Sequence, residues 1–568
     1  MAQEFSTHTC IYIGVHEASP AMGKRARFGI HLRGLSQNLI ERIRIFSGSA
    51  DDSQTIASVD QDLRQDRVNL QRALGLHSIA LPGTTWNWKV LRLSRLVQWH
   101  YTSNGFFCQL MNAALAGKQY VCLSLMLYSD ECTPGNVLAP ITARKIDNFY
   151  VSCLQFGENL LSEHAWIHVA SLLSSKIKEV DGGMSCIQRI LLENWLEEED
   201  SVIDGFTLLT PDGPVFVQFV FEPNVWDEKE MKEVWHVMGS GGKKPCMFCT
   251  NVLYKKQRHL PPGFVDITES DSSTFVAMQD DDLYDMYDSL RAAKASGMGP
   301  TVFGKLCTNA GLNFHENSVL GSLKLRGVFR PTSGRYDGFH VLWSNGVVQQ
   351  EVDLMVEALA EEQIASNSDL SAYAAAIWRI GSNSTMLPRK IFKDDEVKGG
   401  AQQVKAAFYL LRHYISEFSP GWQPLSPSMQ RKIDSFTALF DWVSELHSMS
   451  IRKDFSQGRC DNLKVMQKRW MDAFKAAHGR QRVRPKHHMA FHIPLQIEKD
   501  KFFVTTQAQE KKHKLISDVA TRSIRVDAEG YELQVCLESN LIHREEANNV
   551  DRVVLHRNPK HVTLGNAI

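Results

Sequence analysis

The sequence predicts a mixed α/β fold, with one mixed β-sheet flanked by helices and a large, mostly helical insertion. Three observations lead to this prediction. Three apolar, β-rich segments follow one another after residue 118, then a helical segment and a fourth β-rich segment follow, and helical periodicity dominates from residue 346. The length of 568 residues leaves room for two to four domains and a large core.

Composition places the chain among ordinary globular proteins, because 43% of its residues are hydrophobic and 22% are charged. The net charge is −1, so a nucleic-acid surface would have to be a local patch and not a global field. Eleven cysteines, an odd and low number for this length, favour a reducing, intracellular compartment over a disulfide scaffold. We expect no secretory signal and, because no apolar run reaches about 18 residues, no membrane span.

The first region, residues 1–117, is predicted to be mostly helical. Residues 59–76 show loosely helical spacing, and residues 84–101 show it more clearly. The apolar positions of the second stretch are Trp86, Val90, Leu93, Leu96 and Val97.

Residues 118–238 are predicted to form the first part of the sheet core. The predicted elements are strands at 119–130, 145–157 and 164–175, a helix at 182–200, and a strand from 213 that ends at Pro223, with a helix beyond Asp227. The short connection between the second and third strands predicts an antiparallel hairpin and therefore a mixed sheet.

The remainder of the chain divides into four regions. They are an irregular region at 239–345, a helical insertion at 346–480, the last part of the core at 481–530 and a C-terminal tail at 531–568. A short strand near residue 502 is predicted to lead into a helix, and the tail carries no clear signal.

Two aspartates close strands that we expect to be neighbours. Asp130 ends the first strand, and Asp227 lies just beyond the fourth. In a strand-strand-strand-helix-strand sheet of the ribonuclease-H kind, the first and fourth strands lie side by side, which would bring the two carboxylates together. Hard anionic oxygens at one spot attract Mg²⁺ or Mn²⁺. Taken singly, an acid at a strand end is most often simply solvated.

Cys246 and Cys249 form a C-x-x-C pair, which is half of a zinc site. The alternative is two reduced cysteines in a turn. Several residues are available as further ligands, and none has diagnostic spacing: His236, His259, Cys307, His315 and His340.

Two weaker signals lie downstream. Asp337 and His340 form a D-x-x-H element, a pattern that is often only a turn-capping hydrogen bond. Glu510 is a lone acid among lysines in the most basic part of the chain, which is either a solvated face or a phosphate-contacting surface. The basic residues are Arg480, Arg482, Arg484, Lys486, Lys511, Lys512 and Lys514.

Five stretches in this order resemble the eukaryotic DDE transposases of the CACTA and Plavaka-like group. They are "LYSDECTPGNVLAP", "GGMSCIQRILLENW", "WHVMGSGGKKPCMFCTNVL", "YDGFHVLWSNGVVQQEV" and "PKHHMAFHIPLQI" running on to "QEKKHK". Together they cover roughly residues 85–520.

The resemblance implies a ribonuclease-H-like core interrupted by a helical insertion before its last catalytic helix. It implies that Asp130, Asp227 and Glu510 hold two Mg²⁺ or Mn²⁺ ions, with Asp337 and His340 as accessory residues. The implied activity is metal-dependent cleavage at transposon ends and strand transfer into target DNA. The implied partners and location are DNA, further copies of the chain and the nucleus.

Some features depart from the family pattern. The stretch before Glu510 lacks the expected aromatic residue, no separate N-terminal zinc finger is found, and Asp337 remains an alternative second aspartate. A domesticated, inactive copy that binds DNA or acts as a scaffold is therefore the alternative function. A third alternative is an unrelated metal-dependent hydrolase that uses His487, His488 and His492.

Overall fold

The computed structural model describes residue 65 and residues 68–136, 139–197, 200–254, 260–381, 391–422, 424–522 and 528–556. The described part begins with a helical segment that ends at residue 74 and continues into an antiparallel hairpin of β1 (Leu76–Ala80) and β2 (Asn87–Leu91). Helices α1 (Leu93–Ser103) and α2 (Gly105–Leu115) follow.

The hairpin corrects the prediction of a helix over residues 84–101. Within β2, Trp88 and Val90 are buried while Asn87 and Lys89 are exposed. Alternation with a period of two is the pattern of a strand with one buried face, and helical spacing resumes only at Leu93.

Six strands form the main sheet. They are β3 (Tyr120–Cys132), β4 (Ile146–Cys153), β5 (Ile167–Leu173), β6 (Phe206–Thr210), β7 (Gly213–Trp226) and β8 (Gly334–Tyr336). The spatial order is β8-β7-β3-β4-β5, and β6 pairs additionally with β7. β3, β4 and β5 are antiparallel to their neighbours in turn, whereas β7 is parallel to β3 and β8 is parallel to β7. The predicted mixed sheet is confirmed, and three strands and a helix precede β7 as predicted. The prediction missed β6, the short strand that pairs with β7.

Two helices connect these strands and place their ends. α3 (Gly183–Glu197) carries the chain from the antiparallel strands toward β6 and β7 and buries Ile187, Leu191 and Trp195. α4 (Glu228–Trp235) follows β7 and begins at Asp227, whose side chain accepts the backbone N–H of Glu230. Such a cap satisfies one of the unpaired N–H groups at a helix start.

β7 continues through Pro223, where the sequence predicts its end. Between Leu125 and Leu127 of β3, the ladder moves from Phe221 to Asn224 on β7, so β7 carries one extra residue there. Proline lacks the N–H that a ladder needs, and a bulge is one of the places where a strand tolerates it. The bulge allows β7 to reach Trp226 and carry Asp227 to the sheet edge.

A second group of helices follows α4 along the described part of the chain. Its helices are α5 (Asp280–Ala295), α6 (Pro300–Ala310), α7 (Gly338–Leu342), α8 (Val347–Glu361), α9 (Asn367–Gly381), α10 (Ala401–Phe418), α11 (Pro427–Arg452) and α12 (Gln457–His478). The long helices α11 and α12 pack together, and the rings of Trp442 and Trp470 stack at 5.4 Å between them.

Four helices complete the described chain: α13 (Pro485–Ala490), α14 (His492–Asp500), α15 (Gln507–Arg522) and α16 (Ala528–His556). Two predictions are wrong here. The segment before α15 is not a strand, although the carbonyl of Val504 accepts the N–H of Gly338. The region predicted to be a tail forms most of α16, which packs on β5 and buries Tyr531 and Val535.

Candidate active site and metal centre

Two aspartates lie at the same edge of the sheet. Asp130 is near the C-terminal end of β3, and Asp227 directly follows β7. Leu127 of β3 lies opposite Asn224 of the parallel strand β7, so three residues further along each strand the chain reaches Asp130 and Asp227 at one level. The register of the sheet therefore brings together the two acids that the sequence singles out.

The environment of Asp130 disfavours its charge. Burial, followed by the negative charge of Asp227, raises the pKa of Asp130 to about 6. Its carboxylate accepts the hydroxyl of Tyr128 at 2.9 Å and the backbone N–H of Glu131 at 2.7 Å. Two carboxylates that repel each other form a pair that a bound cation would stabilise.

The neighbouring acid Glu131 lies in different surroundings. Its carboxylate is 3.1 Å from Lys145 and 3.6 Å from Lys229. Successive side chains alternate across a strand, and here the alternation separates Asp130, at the sheet edge near Asp227, from an acid already paired with lysines.

Asp337 follows the third parallel strand, β8, and its backbone N–H donates to the carbonyl of Trp226 at 3.0 Å. Its buried carboxylate accepts the backbone N–H of Phe339, both the N–H and the ring of His340, and the N–H and hydroxyl of Thr506. These donors cover both oxygens. Although burial by itself would raise the pKa of Asp337, they lower it.

Asp227 is the acid that borders open space. The one described hydrogen bond of its carboxylate is the cap, in which it accepts the backbone N–H of Glu230 at 2.7 Å, and its side chain lines a cavity of about 370 Å³. The other lining residues are Glu228, Lys229, Lys232, Glu233, His340, Ser344, Asn345 and Lys486. Of the two candidates for the second aspartate, Asp227 is thus the one whose carboxylate faces a space that could hold a ligand.

His340 brings positive charge to this cavity. Burial alone would lower its pKa, but the hydrogen bond and charge of Asp337, together with the charges of Asp227 and Asp130, raise it to about 9. The imidazole is therefore protonated at neutral pH. The D-x-x-H element caps α7, as its simplest interpretation predicts, and it also places a cation beside the acid pair.

Helix α15 is anchored to this edge at two points. Thr506, just before the helix, donates to Asp337 at 2.8 and 2.6 Å, and Nδ1 of His513 lies 3.5 Å from the Asp130 carboxylate. Residue 510 lies between these anchors along the helix backbone. The side chains of Glu510, Lys511 and Lys514 lie outside the described part of the structure.

The predicted DNA-binding residues occupy different environments. Arg482 and Arg484 are exposed, and Arg480 is exposed but bonds Asp266 and Thr268. Lys486 donates to the carbonyls of His340 at 3.0 Å and Ser344 at 2.7 Å, at the end of α7.

The prediction that Lys512 contacts DNA is wrong. Its side chain is only 1% exposed, and its ammonium donates to the carbonyl of Trp166. The helical spacing of α15 turns this lysine toward the sheet, which the local count of basic residues does not reveal.

A second cluster joins Cys246 and Cys249 to His488 and His492. All four residues are buried, and their ligand atoms lie within 4.8 Å of one another. Nε2 of His492 is 3.3 Å from Cys246 Sγ, 3.5 Å from Cys249 Sγ and 3.4 Å from Nε2 of His488. We refer to these four residues as the cysteine–histidine cluster.

These separations fit a tetrahedral zinc ion. Bonds of about 2.0–2.1 Å to nitrogen and about 2.3 Å to sulfur place two nitrogens about 3.3 Å apart and a nitrogen about 3.6 Å from a sulfur. Burial would raise the pKa of Cys246, but a hydrogen bond with Cys249 and the two histidines lower it well below its usual value. A buried thiolate beside imidazoles is a donor set that suits Zn²⁺.

The sequence predicts only the two cysteines of this cluster, Cys246 and Cys249. The rings of His236 and His315 contact each other edge to face at 5.9 Å, and none of the described candidate ligands joins the cysteines. His259 lies outside the described residues. The partners lie about 240 residues downstream in "HMAFH". The available signal was the H-x-x-x-H spacing, which places two imidazoles on one side of a helical path and completes a C-x-x-C pair.

No protein-family model matches this chain, and a search of curated proteins found no match either. Within the described ranges, no helix is both long enough and apolar enough to cross a membrane.

Proposed function

We propose that the chain is a metal-dependent DNA-cleaving and strand-transferring enzyme of the DDE transposase kind. One observation carries the proposal: Asp130 and Asp227 lie at one level of the adjacent parallel strands β3 and β7, Asp227 lines an open cavity, and His513 of α15 lies 3.5 Å from the Asp130 carboxylate. The activity, the DNA substrate, assembly into oligomers and a nuclear location are all parts of the proposal that come from the sequence resemblance.

The strand order supports a ribonuclease-H-like core. Three antiparallel strands, a helix and then β7 parallel to β3 follow the arrangement that the resemblance implies. The helices α8 to α12 lie between β8 and α15, where the resemblance places an insertion before the last catalytic helix.

The residues at the edge suit a hard divalent cation. Asp130 and Asp227 offer carboxylate oxygens, the ligands that Mg²⁺ and Mn²⁺ prefer, and their mutual repulsion is the electrostatic feature that a cation would relieve. Together with Glu510 they would hold the metal. When bound, such ions activate a water or a 3′-hydroxyl and stabilise the leaving oxygen of a phosphodiester.

The side chains around the cavity would bind and orient the DNA strand. The protonated imidazole of His340 and the ammonium of Lys486 bring positive charge to the cavity that Asp227 lines. Lys229 and Lys232 also line this cavity, where they pair with Glu131 and Glu228. Cations at these positions attract phosphates toward carboxylates that would otherwise repel them. The apolar body of β3 holds Asp130 rigidly, as a preorganised site requires.

We further propose that the cysteine–histidine cluster binds a structural Zn²⁺. All four ligand positions come from the protein, and structural zinc sites are closed in this way. The cluster borders β8, because Sγ of Cys246 lies 3.4 Å from the hydroxyl of Tyr336, the residue before Asp337. Zinc there would fix α13 and α14 against the strand that leads to the candidate active site.

The test is Mn²⁺-dependent nicking of supercoiled plasmid DNA by the full chain. We expect Asp130→Asn, Asp227→Asn and Glu510→Gln each to lower the rate by roughly a thousandfold, since each removes a charge that would hold the metal. Asp147→Asn is the matched control, because this buried aspartate lies opposite Glu131 on β4 and outside the proposed ligand set.

Full activity in Asp130→Asn and Glu510→Gln would overturn the assignment. A wild-type protein that binds DNA but never nicks it in Mn²⁺ would instead favour the inactive, DNA-binding alternative.

A further inference from the structure

A second cavity, also of about 370 Å³, lies between the helical insertion and the sheet core. We call it the aromatic pocket, because five aromatic rings line it: Phe339, Trp343, Phe455, Phe502 and Phe503. Its volume falls in the range of small-molecule sites, which begins at about 300 Å³.

The pocket also carries an excess of positive charge. Its lining includes Lys405, Lys453 and Lys501 together with Glu158 and Asp500. Lys453 pairs with Glu158 at 2.7 Å, and Arg335, outside the pocket, pairs with Asp500 at 2.6 Å. Two lysines, Lys405 and Lys501, therefore remain without an acidic partner among the described residues.

One of these cations adjoins an aromatic ring. The ammonium of Lys405 lies 5.8 Å from the centre of the Trp343 ring. Burial lowers the pKa of this lysine, so its charge is poorly solvated and an anionic ligand would stabilise it. Aromatic faces next to unpaired lysines match a ligand that joins a flat ring to a phosphate.

The pocket shares a wall with the candidate active site. Phe339 and Trp343 belong to the segment of α7 that begins at Asp337 and includes His340. On the other side, Thr505 of the pocket precedes Thr506, which bonds Asp337. The two cavities therefore border the same short segment of the chain, because His340, Ser344 and Asn345 line the first and Phe339 and Trp343 line the second.

We propose that the aromatic pocket binds an unpaired base of the DNA strand held at the candidate active site. The base stacks against the half-buried rings of Phe455, Phe502 and Phe503, and Lys405 and Lys501 contact the adjoining phosphates. This inference rests on the proposed function for the identity of the strand, but not on catalysis. A base already out of the duplex, at a nick or a strand end, enters at the lowest energetic cost.

The test compares two oligonucleotides of about six nucleotides, one with thymine bases and one with the same backbone but abasic. Binding to the zinc-loaded full chain is measured by fluorescence anisotropy without added Mg²⁺ or Mn²⁺. We expect the base-containing strand to bind roughly tenfold more tightly. Phe502→Ala, which removes a half-buried pocket ring, should abolish most of this preference.

Matched controls separate the pocket from general effects. Phe418→Ala removes an exposed ring of α10 outside the pocket and should keep the preference. If Phe502→Ala folds poorly, Lys405→Gln tests the positive charge of the pocket instead. Its control is Lys468→Gln on α12, outside the pocket. Lys405→Gln should weaken both oligonucleotides several-fold, and Lys468→Gln should weaken neither.

Three results would overturn the inference. The first is that Phe502→Ala and Lys405→Gln both keep the preference for the base-containing oligonucleotide. The second is that free thymidine monophosphate competes as well as the oligonucleotide does. The third is that an apolar peptide occupies the pocket instead. No cleavage is measured in this test. A base preference that persists in Asp130→Asn therefore supports base binding in the pocket even if the nicking test fails. Conversely, absence of the base preference leaves the nicking result intact.

Discussion

Two candidate metal sites differ in construction: the acid edge, where Asp130 of β3 and Asp227 after β7 come together, and the cysteine–histidine cluster. At the acid edge, hard oxygens border an open cavity, and burial and repulsion raise the pKa of Asp130 to about 6. In the cluster, four buried ligand atoms lie within 4.8 Å of one another, and the three separations from Nε2 of His492 match those around a tetrahedral zinc ion. Open metal sites leave room for substrate, whereas closed ones contribute to folding. We therefore propose a chemical role for the first site and a structural role for the second.

The two regions are also physically linked. Lys486, two residues before His488, donates to the carbonyl of His340 beside the acid pair. Arg335 of β8 forms a two-pronged ion pair with Asp500 at the end of α14, with both side chains almost fully buried. The helices that carry the two histidines thereby hold the strand that leads to Asp337.

The largest expected effect comes from opening the cysteine–histidine cluster. Cys249→Ser should reduce the zinc content from about one ion per chain to near none, measured by atomic emission. The loss should lower the free energy of unfolding by more than about 5 kcal/mol, because structural zinc binding is coupled to folding. Cys307→Ser, at another buried cysteine outside the cluster, is the control and should retain zinc. Equal zinc content in Cys249→Ser and Cys307→Ser would contradict the proposal that the cysteine–histidine cluster binds a structural zinc ion.

The next effect concerns the link between the regions. Asp500→Asn should cost about 3–5 kcal/mol in urea unfolding, because it leaves the buried charge of Arg335 unpaired. The neighbouring Lys499 makes an exposed pair with Glu222 at 2.7 Å. Lys499→Gln should cost no more than about 1 kcal/mol. Similar costs for the two changes would contradict a buried link.

The smallest expected effect is an increase in the free energy of unfolding, and it concerns the acid edge. Without divalent metal at about pH 7.5, Asp130→Asn should raise the free energy of unfolding by about 1–2 kcal/mol. The pKa of Asp130 in the folded chain, about 6, lies above the 3.8 of the unfolded chain, so the charged form destabilises the fold at neutral pH. The gain should vanish as the pH falls below about 4.

The adjacent acid provides the control for that sign. Burial would raise the pKa of Glu131, but Ser174 and Lys145 lower it, so its charge stabilises the fold at neutral pH. Glu131→Gln should therefore destabilise the protein where Asp130→Asn stabilises it. A gain in both variants, followed through urea unfolding at several pH values, would contradict the distinction between the two acids.

The parts of the site that the sequence predicts are those governed by local patterns. An apolar strand that ends in an acid can be recognised from a short segment. The order of the strands then predicts that Asp130 and Asp227 lie close together. The bulge at Pro223 and the β2 strand depend on packing that local periodicity does not encode. The H-x-x-x-H spacing of His488 and His492 is a local signal, but it does not reveal that these histidines meet Cys249, because they reach it only through tertiary folding.

The most direct test of the account is to locate bound metal by anomalous diffraction from crystals of the zinc-loaded chain soaked in Mn²⁺. The account predicts a manganese peak within about 2.0–2.6 Å of oxygens from both Asp130 and Asp227, and a separate zinc peak among Cys246, Cys249, His488 and His492. Manganese absent from the acid edge, or the two carboxylates standing more than about 10 Å apart in such crystals, would contradict it.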